Sequence, residues 1–164
     1  MDGGAGNDYL GGVYGNDTTS YTSAATSVTV DLSLTGQQNT LGAGSDTLVQ
    51  IENLIGSVNA DTLTGDGGIN RLNGGDGGDI LTGGGRRDVF VFNVGEAGGD
   101  TIVDFAGGGA GLGDSLVFVG YGDGSFTQVG VSNVWTVTSE DGLTTELITF
   151  ANGAPVDPSD YIFT

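Results

Sequence analysis

Cysteine, histidine and lysine are absent from this chain, and its 3 basic residues are all arginine. Without cysteine there are no disulfides and no thiolate chemistry, which is compatible with a bacterial secreted protein. Without histidine as well, histidine-based triads and the usual zinc ligand sets are excluded. The few basic residues stand against 21 acidic ones, a net charge of 3 − 21 = −18. Such a charge opposes binding to nucleic acid or to an anionic membrane surface. No run of about 18 apolar residues exists, so no membrane-inserted helix is expected. Residues 1–20 lack the charged start and apolar core of a signal peptide; an export address, if there is one, must lie elsewhere. Met1 runs straight into repeated sequence, as expected of a fragment with an upstream domain missing.

What is abundant is glycine, 34 of 164 residues, and it is periodic. Leu54, Leu63, Leu72, Leu81 and Phe90 recur at a spacing of nine. Two residues before each stand Glu52, Asp61, Asn70, Asp79 and Asp88. Residues 56–91 therefore read as four nonapeptides: GSVNADTLT, GDGGINRLN, GGDGGDILT and GGGRRDVFV. A low-complexity linker of similar glycine content would not keep so strict a period. The glycine-rich part of each unit is a tight loop. The last three residues, one apolar between two polar, are a short strand with one side chain facing inward. Each loop and strand reverse the chain once, so two nonapeptides complete a coil of 18 residues, stacked on the next at the inter-strand spacing of about 4.7–4.9 Å. Leu54, Leu72 and Phe90 should form one inward ladder, and Leu63 and Leu81 the facing one.

These nonapeptides resemble the glycine- and aspartate-rich RTX repeat, a calcium-binding signature. The resemblance implies an all-β fold: a right-handed parallel β-roll over residues 1–105, followed by an antiparallel β cap over 106–164. The first repeat, Gly3 to Gly11, fits throughout; the second, Gly12 to Ser20, has Thr19 at the apolar position. Residues 21–40 break the period, and the alternation of Val28, Val30, Leu32 and Leu34 predicts a longer inserted strand. Residues 41–49 resume the repeat, but Leu48 and Leu54 are only six apart, so the register shifts. Gly95 to Val103 is a degenerate last copy. The stretches DTIVDF and GDSLVF resemble the junction that follows the repeats in serralysin-type secreted proteases. Beyond it, Val134–Thr138 and Thr144–Phe150 flank an Asp-Gly turn and predict a hairpin. Phe118, Phe126 and Trp135 are read as core of the cap rather than a ligand platform. The final DYIFT resembles an uncleaved C-terminal signal for type I secretion; its plainer reading is an edge strand with Asp160 as a solvated start.

Calcium is a hard cation that takes about six to eight oxygens, and one loop offers half a shell. The resemblance implies that the second, fourth and sixth positions of one loop face the first, third and sixth of the loop one coil later. Ser57, Asn59 and Asp61 then face Gly74, Asp76 and Asp79. Asp66, Gly68 and Asn70 face Gly83, Gly85 and Asp88. Gly75, Gly77 and Asp79 face Gly95, Ala97 and Asp100. Gly4, Gly6 and Asp8 hold the same places in the first repeat. Asp17 and Asp46 are sixth-position acids whose partner coils, like that of Asp8, the spacing leaves unassigned. Asp104 is a further candidate, although it and Asp100 could simply flank a strand. Asn70 is neutral where an acid is usual. Arg86 replaces the fourth glycine of its repeat, and Arg87 adds positive charge beside Asp88.

The implied function is a calcium-folding module. It threads a type I secretion channel unfolded, folds outside the cell where calcium is plentiful, and stabilises an upstream domain of the same polypeptide. No enzyme is expected. A carboxylate pair of the glycosidase kind is formally available, but the repeat accounts for many of the acids. The alternative is an extracellular polysaccharide-binding or adhesion module. A polyanionic glycan would need a basic groove, and only Arg71, Arg86 and Arg87 could build one.

Overall fold

The computed structural model describes residues 1–108 and 113–164; residues 109–112, assigned from sequence to the cap, lie outside them. Among the described residues the chain forms β-strands and no helix, so no helix is long and apolar enough to cross a membrane. The strands are β1 (Tyr9–Gly11), β2 (Thr18–Ser20), β3 (Thr29–Asp31), β4 (Gln38–Asn39), β5 (Ser45–Val49) and β6 (Asn53–Ile55). They continue with β7 (Thr62–Thr64), β8 (Arg71–Asn73), β9 (Ile80–Thr82), β10 (Val89–Asn93) and β11 (Asp100–Ile102). The last five are β12 (Ser115–Val119), β13 (Ser125–Gln128), β14 (Val134–Thr138), β15 (Thr145–Phe150) and β16 (Tyr161–Phe163).

From β6 to β12 consecutive strands alternate between two sheets. One sheet has six strands in the order β16-β12-β10-β8-β6-β2, all parallel. The other runs β13-β14-β15-β11-β9-β7-β3, parallel from β3 to β15 and antiparallel at β13–β15. The expected ladders are present: Leu54 pairs with Leu72 and Leu72 with Phe90 in the first sheet, and Leu63 pairs with Leu81 in the second. All five side chains are buried in one apolar cluster that draws on both sheets. The ladders continue past the repeat, through Leu116 in one sheet and through Ile102 and Phe150 in the other. Thr19 holds the apolar position on β2, fully buried against Leu54, and its hydroxyl has no hydrogen-bond partner.

The segment after Tyr21 departs from expectation. Instead of one long strand over Val28–Leu34, only Thr29–Asp31 is extended, with Val30 stacked on Leu63. Side chains end the strand. Asp31 Oδ1 accepts from Ser33 N–H (2.8 Å) and Ser33 O–H (2.6 Å), and Gln38 bonds both the N–H and the carbonyl of Asp31. Such local bonds offer the backbone an alternative to the sheet ladder. The six-residue step from Leu48 to Leu54 marks a change of sheet. β5 lies parallel on β1 and antiparallel to β4 in a separate three-stranded sheet, while β6 returns to the six-stranded one.

The hairpin forms as expected, with Val134 opposite Thr149 and Thr138 opposite Thr145. At this end the core changes from leucine to aromatic rings. Phe118 lies 4.9 Å from Phe126 and 5.1 Å from Phe163, centroid to centroid, and Trp135 stacks on Phe126 at 4.8 Å. β16 is an edge strand, parallel to β12. Asp160, just before it, is buried rather than solvated, because β16 stacks as one more rung on the sheet.

Candidate metal centre

The acid two residues before each inward side chain sits at the mouth of its strand, where it reaches the coil before it. Asp61 N–H donates to Asp79 Oδ1 and Asp79 N–H to Asp100 Oδ1, both at 2.8 Å, while Val28 N–H donates to Asp61 Oδ1 at 2.7 Å. On the other sheet Asn70 N–H donates to Asp88 Oδ1 and Asp88 N–H to Asp114 Oδ1, again at 2.8 Å. The partners left open by the spacing are now assigned. Asp8 N–H donates to Asp46 Oδ1 (3.0 Å), and Asp17 N–H donates to Glu52 Oε2 (2.8 Å). Sequence reasoning missed Asp114 as a member of this series. The signal was present, since Asp114 precedes Leu116 by the same two residues.

The loops of the first two expected shells stack on one another with like positions in contact. A Cβ on Gly75 would meet Ser57 O at 2.1 Å, one on Gly77 would meet Asn59 O at 2.8 Å, and one on Gly56 would meet Gly74 O at 2.1 Å. In the second pair a Cβ on Gly65 would lie 2.3 Å from Gly83 O, and Gly85 packs over Gly67. Only glycine lets two loop backbones approach so closely. Asp76 is exposed, and Gly68 N–H bonds Asp66 Oδ1 at 2.6 Å within its own loop. The third pair is arranged differently. Asp100 reaches Asp79, but Gly95 N–H donates to Glu146 Oε2 (3.1 Å) on β15, and Ala97 is fully buried. In the N-terminal coil Gly4 N–H bonds Asp2 Oδ1, and Gly6 pairs with Gly44. Arg86 adopts φ +79°, the left-handed conformation that the missing fourth glycine would take without strain.

The second oxygens of the acids differ in state. Asp61 Oδ2 accepts from Ser57 N–H, Asp17 Oδ2 from Val13 N–H, and Asp46 Oδ2 from the hydroxyls of Tyr21 and Thr40. Both polar side-chain atoms of Asn70 have partners: Oδ1 accepts from Asp66 N–H and Nδ2 donates to Glu52 O. Asp104, a sequence candidate, places its two oxygens on the N–H groups of Gly83 and Gly84. Oδ2 of Asp8, Asp79 and Asp88, in contrast, is buried with no hydrogen-bond partner.

Burial is the main force on the titration of these acids. It raises Asp79 to about 7; the Asp61 amide pulls the other way and the Asp61 charge adds to the rise. It raises Asp88 to about 6, opposed by the Asn70 amide and reinforced by Asp114. Asp100 rises to about 8 through burial, with Asp79 and Glu146 adding to it. Each folded value lies above the ordinary 3.8, so the folded chain binds protons more tightly than the unfolded one. Without a cation, the stability these groups give is full below the unfolded value and lost as pH rises through about 6 to 8. The cation-free chain should therefore gain Trp135 burial on acidification from about pH 8 to about pH 5. The cation-loaded chain should show the reverse slope, because protons compete for the same oxygens. Tryptophan fluorescence against pH checks both; a cation-free chain that loosens on acidification would contradict the assignment.

Among the described residues no group of three or more acidic side chains converges as a metal site. The chemistry on offer is instead three single carboxylate oxygens, Oδ2 of Asp8, Asp79 and Asp88, each in a glycine-rich loop of backbone carbonyls. An all-oxygen donor set of low side-chain charge fits a hard cation such as calcium and not a thiophilic metal. The orphaned oxygens of Asp79 and Asp88 are the test of fit, since a buried anionic oxygen without a donor is costly unless a cation completes it. No protein-family model and no curated protein matches the chain.

Proposed function

We propose that this chain is an RTX-type calcium-binding module, its two sheets the walls of a right-handed parallel β-roll. The observation that carries the reading is the buried Oδ2 of Asp79 and Asp88, without a partner at the sixth position of stacked glycine loops. Asp79 and Asp88 would hold the ions, together with carbonyl oxygens of the loops they face. Bound calcium supplies positive charge and fills coordination positions that no N–H occupies. The chain's own residues do the rest: glycines bring loops together, Asp oxygens tie each coil to its neighbour, and the leucine ladders exclude water. One inward residue per nine stabilises too little to order nine residues unaided. Folding is thus coupled to the ion, and the module folds only where calcium is plentiful. Titration calorimetry on chelator-treated chain tests this. Calcium should bind with a large heat of coupled folding, and magnesium poorly, because it demands near-octahedral geometry and keeps its water. Equal responses to the two ions would contradict it.

In this reading the module is exported unfolded through a type I channel and, once folded, stabilises an upstream domain. The C-terminal residues carry the address and later close the fold as β16. Removing residues 160–164 should reduce export from a host carrying the channel. It should also lower calcium-loaded stability, since Phe163 stacks on Phe118. Undiminished export of the truncated chain would remove these residues from the signal and leave them a structural strand only.

A further inference from the structure

The three orphaned carboxylate oxygens share a local cause. Where the second residue of a repeat is Val13, Ser57 or Asp66, its N–H donates to the sixth-position side chain, at 3.2, 2.5 and 2.8 Å. Where the second residue is Gly4, Gly75 or Gly84, φ is +72°, +91° and +95°. The amide then belongs to another acceptor: Asp2 Oδ1 at 2.9 Å, Asn73 Oδ1 at 2.8 Å and Asp104 Oδ2 at 2.8 Å. In those same three loops the sixth-position Oδ2, of Asp8, Asp79 and Asp88, has no donor. Residues with a Cβ rarely adopt such φ values, so in these three loops the captured amide and the orphaned oxygen both follow from a positive-φ glycine at one position. Gly42, second in its repeat but without positive φ, gives its amide to Ser27 O, and the hydroxyls of Tyr21 and Thr40 serve Asp46 Oδ2.

We infer that a positive-φ glycine at the second place of a repeat sets its loop's need for a cation: Asp79 and Asp88 hold ions because their loops have Gly75 and Gly84, whereas Asp61 and Asp17 already accept bonds from Ser57 and Val13 of their own loops. Asp8, half-buried, follows the first pattern. The inference rests on the calcium reading and divides the repeats within it. Asp61 accepts N–H bonds from Ser57 and Val28 and the Ser57 hydroxyl. A cation there would displace an amide and leave it buried and unpaired. Asp61 is thus a positioning residue that ties Val28 to the coil beyond. Asn73, and Asp104 beyond the repeats, become determinants of affinity, because each holds an amide away from a carboxylate.

Equilibrium dialysis on the intact chain in saturating calcium tests the division. Asn keeps an acceptor oxygen for the inter-coil amide, so Asp→Asn removes charge with the least disturbance. Asp79→Asn and Asp88→Asn should each bind about one ion fewer than the parent, and Asp61→Asn the same number as the parent. An ion lost from Asp61→Asn, or none lost from Asp79→Asn, overturns the inference. Should Asp79→Asn fail to fold, Asn73→Ala decides. It frees the Gly75 amide to turn back toward Asp79 and should raise the calcium concentration for half-saturation severalfold. Unchanged affinity counts against the inference. A parent chain that binds no calcium overturns the calcium reading itself; calcium binding that is indifferent to these positions overturns this inference alone.

Discussion

Phe118→Ala is expected to lower the stability of the calcium-loaded chain by about 3–5 kcal/mol, the range for a large buried ring truncated to a methyl group. Phe118 is fully buried on β12. Its ring touches rings from four other segments: Phe92 on β10 at 5.7 Å, Tyr121 at 5.7 Å, Phe126 on β13 at 4.9 Å, and Phe163 on β16 at 5.1 Å. Phe92, Phe126 and Phe163 are fixed by separate strand pairings and Tyr121 by its hydroxyl bond to Glu146, so they cannot all move inward to fill the space. The loss should stand at the upper end of the range, because aromatic pairs add about 0.5–1.5 kcal/mol beyond area burial. Urea unfolding in saturating calcium measures it. A loss under about 1 kcal/mol would mean that the cap is held by something other than this cluster.

The repeat was legible because a single side chain per nine residues carries the core. A one-residue slip would place Thr62 or Thr64 where Leu63 sits, so the period and the register from Leu54 to Phe90 are one fact. What lay beyond the period was harder to see. Alternation over Val28–Leu34 assigns faces but says nothing of where a strand stops, and Gln38, seven residues from Asp31, stops it. The pairing of Asp8 with Asp46 spans 38 residues and passes over an excursion through β4, which no local pattern encodes. Glu146 reaches Gly95 from 51 residues away through the stacking of β15 on β11. The repeat pattern marks the acids as metal ligands or as solvated strand flanks. Their equally regular task, accepting an amide from the preceding coil, emerges only when coils are stacked. Asp104 shows the difference: a candidate ligand by sequence, it has both its oxygens on the amides of Gly83 and Gly84.

The largest effect expected is the loss of the fold when calcium is withdrawn. The chain carries −18 of net charge, and its stacked carboxyls are buried among one another. Folding without a cation must either protonate Asp79, Asp88 and Asp100 or hold them charged with few donors. At neutral pH both courses are unfavourable, and the leucine ladders are too thin to offset them. With calcium the same acids change sign in their effect, from repulsion to attachment points between coils. At a free calcium concentration about 100 times the dissociation constant, each independent site contributes about 2.7 kcal/mol, so a few sites suffice to move the chain from unfolded to folded.

Far-ultraviolet circular dichroism of the intact chain, first in excess chelator at neutral pH and then through a calcium titration, tests this claim most directly. The predicted result is a mostly disordered spectrum in chelator that converts cooperatively to β-structure at about millimolar calcium or below. A spectrum already fully β in chelator and unchanged by calcium would contradict it.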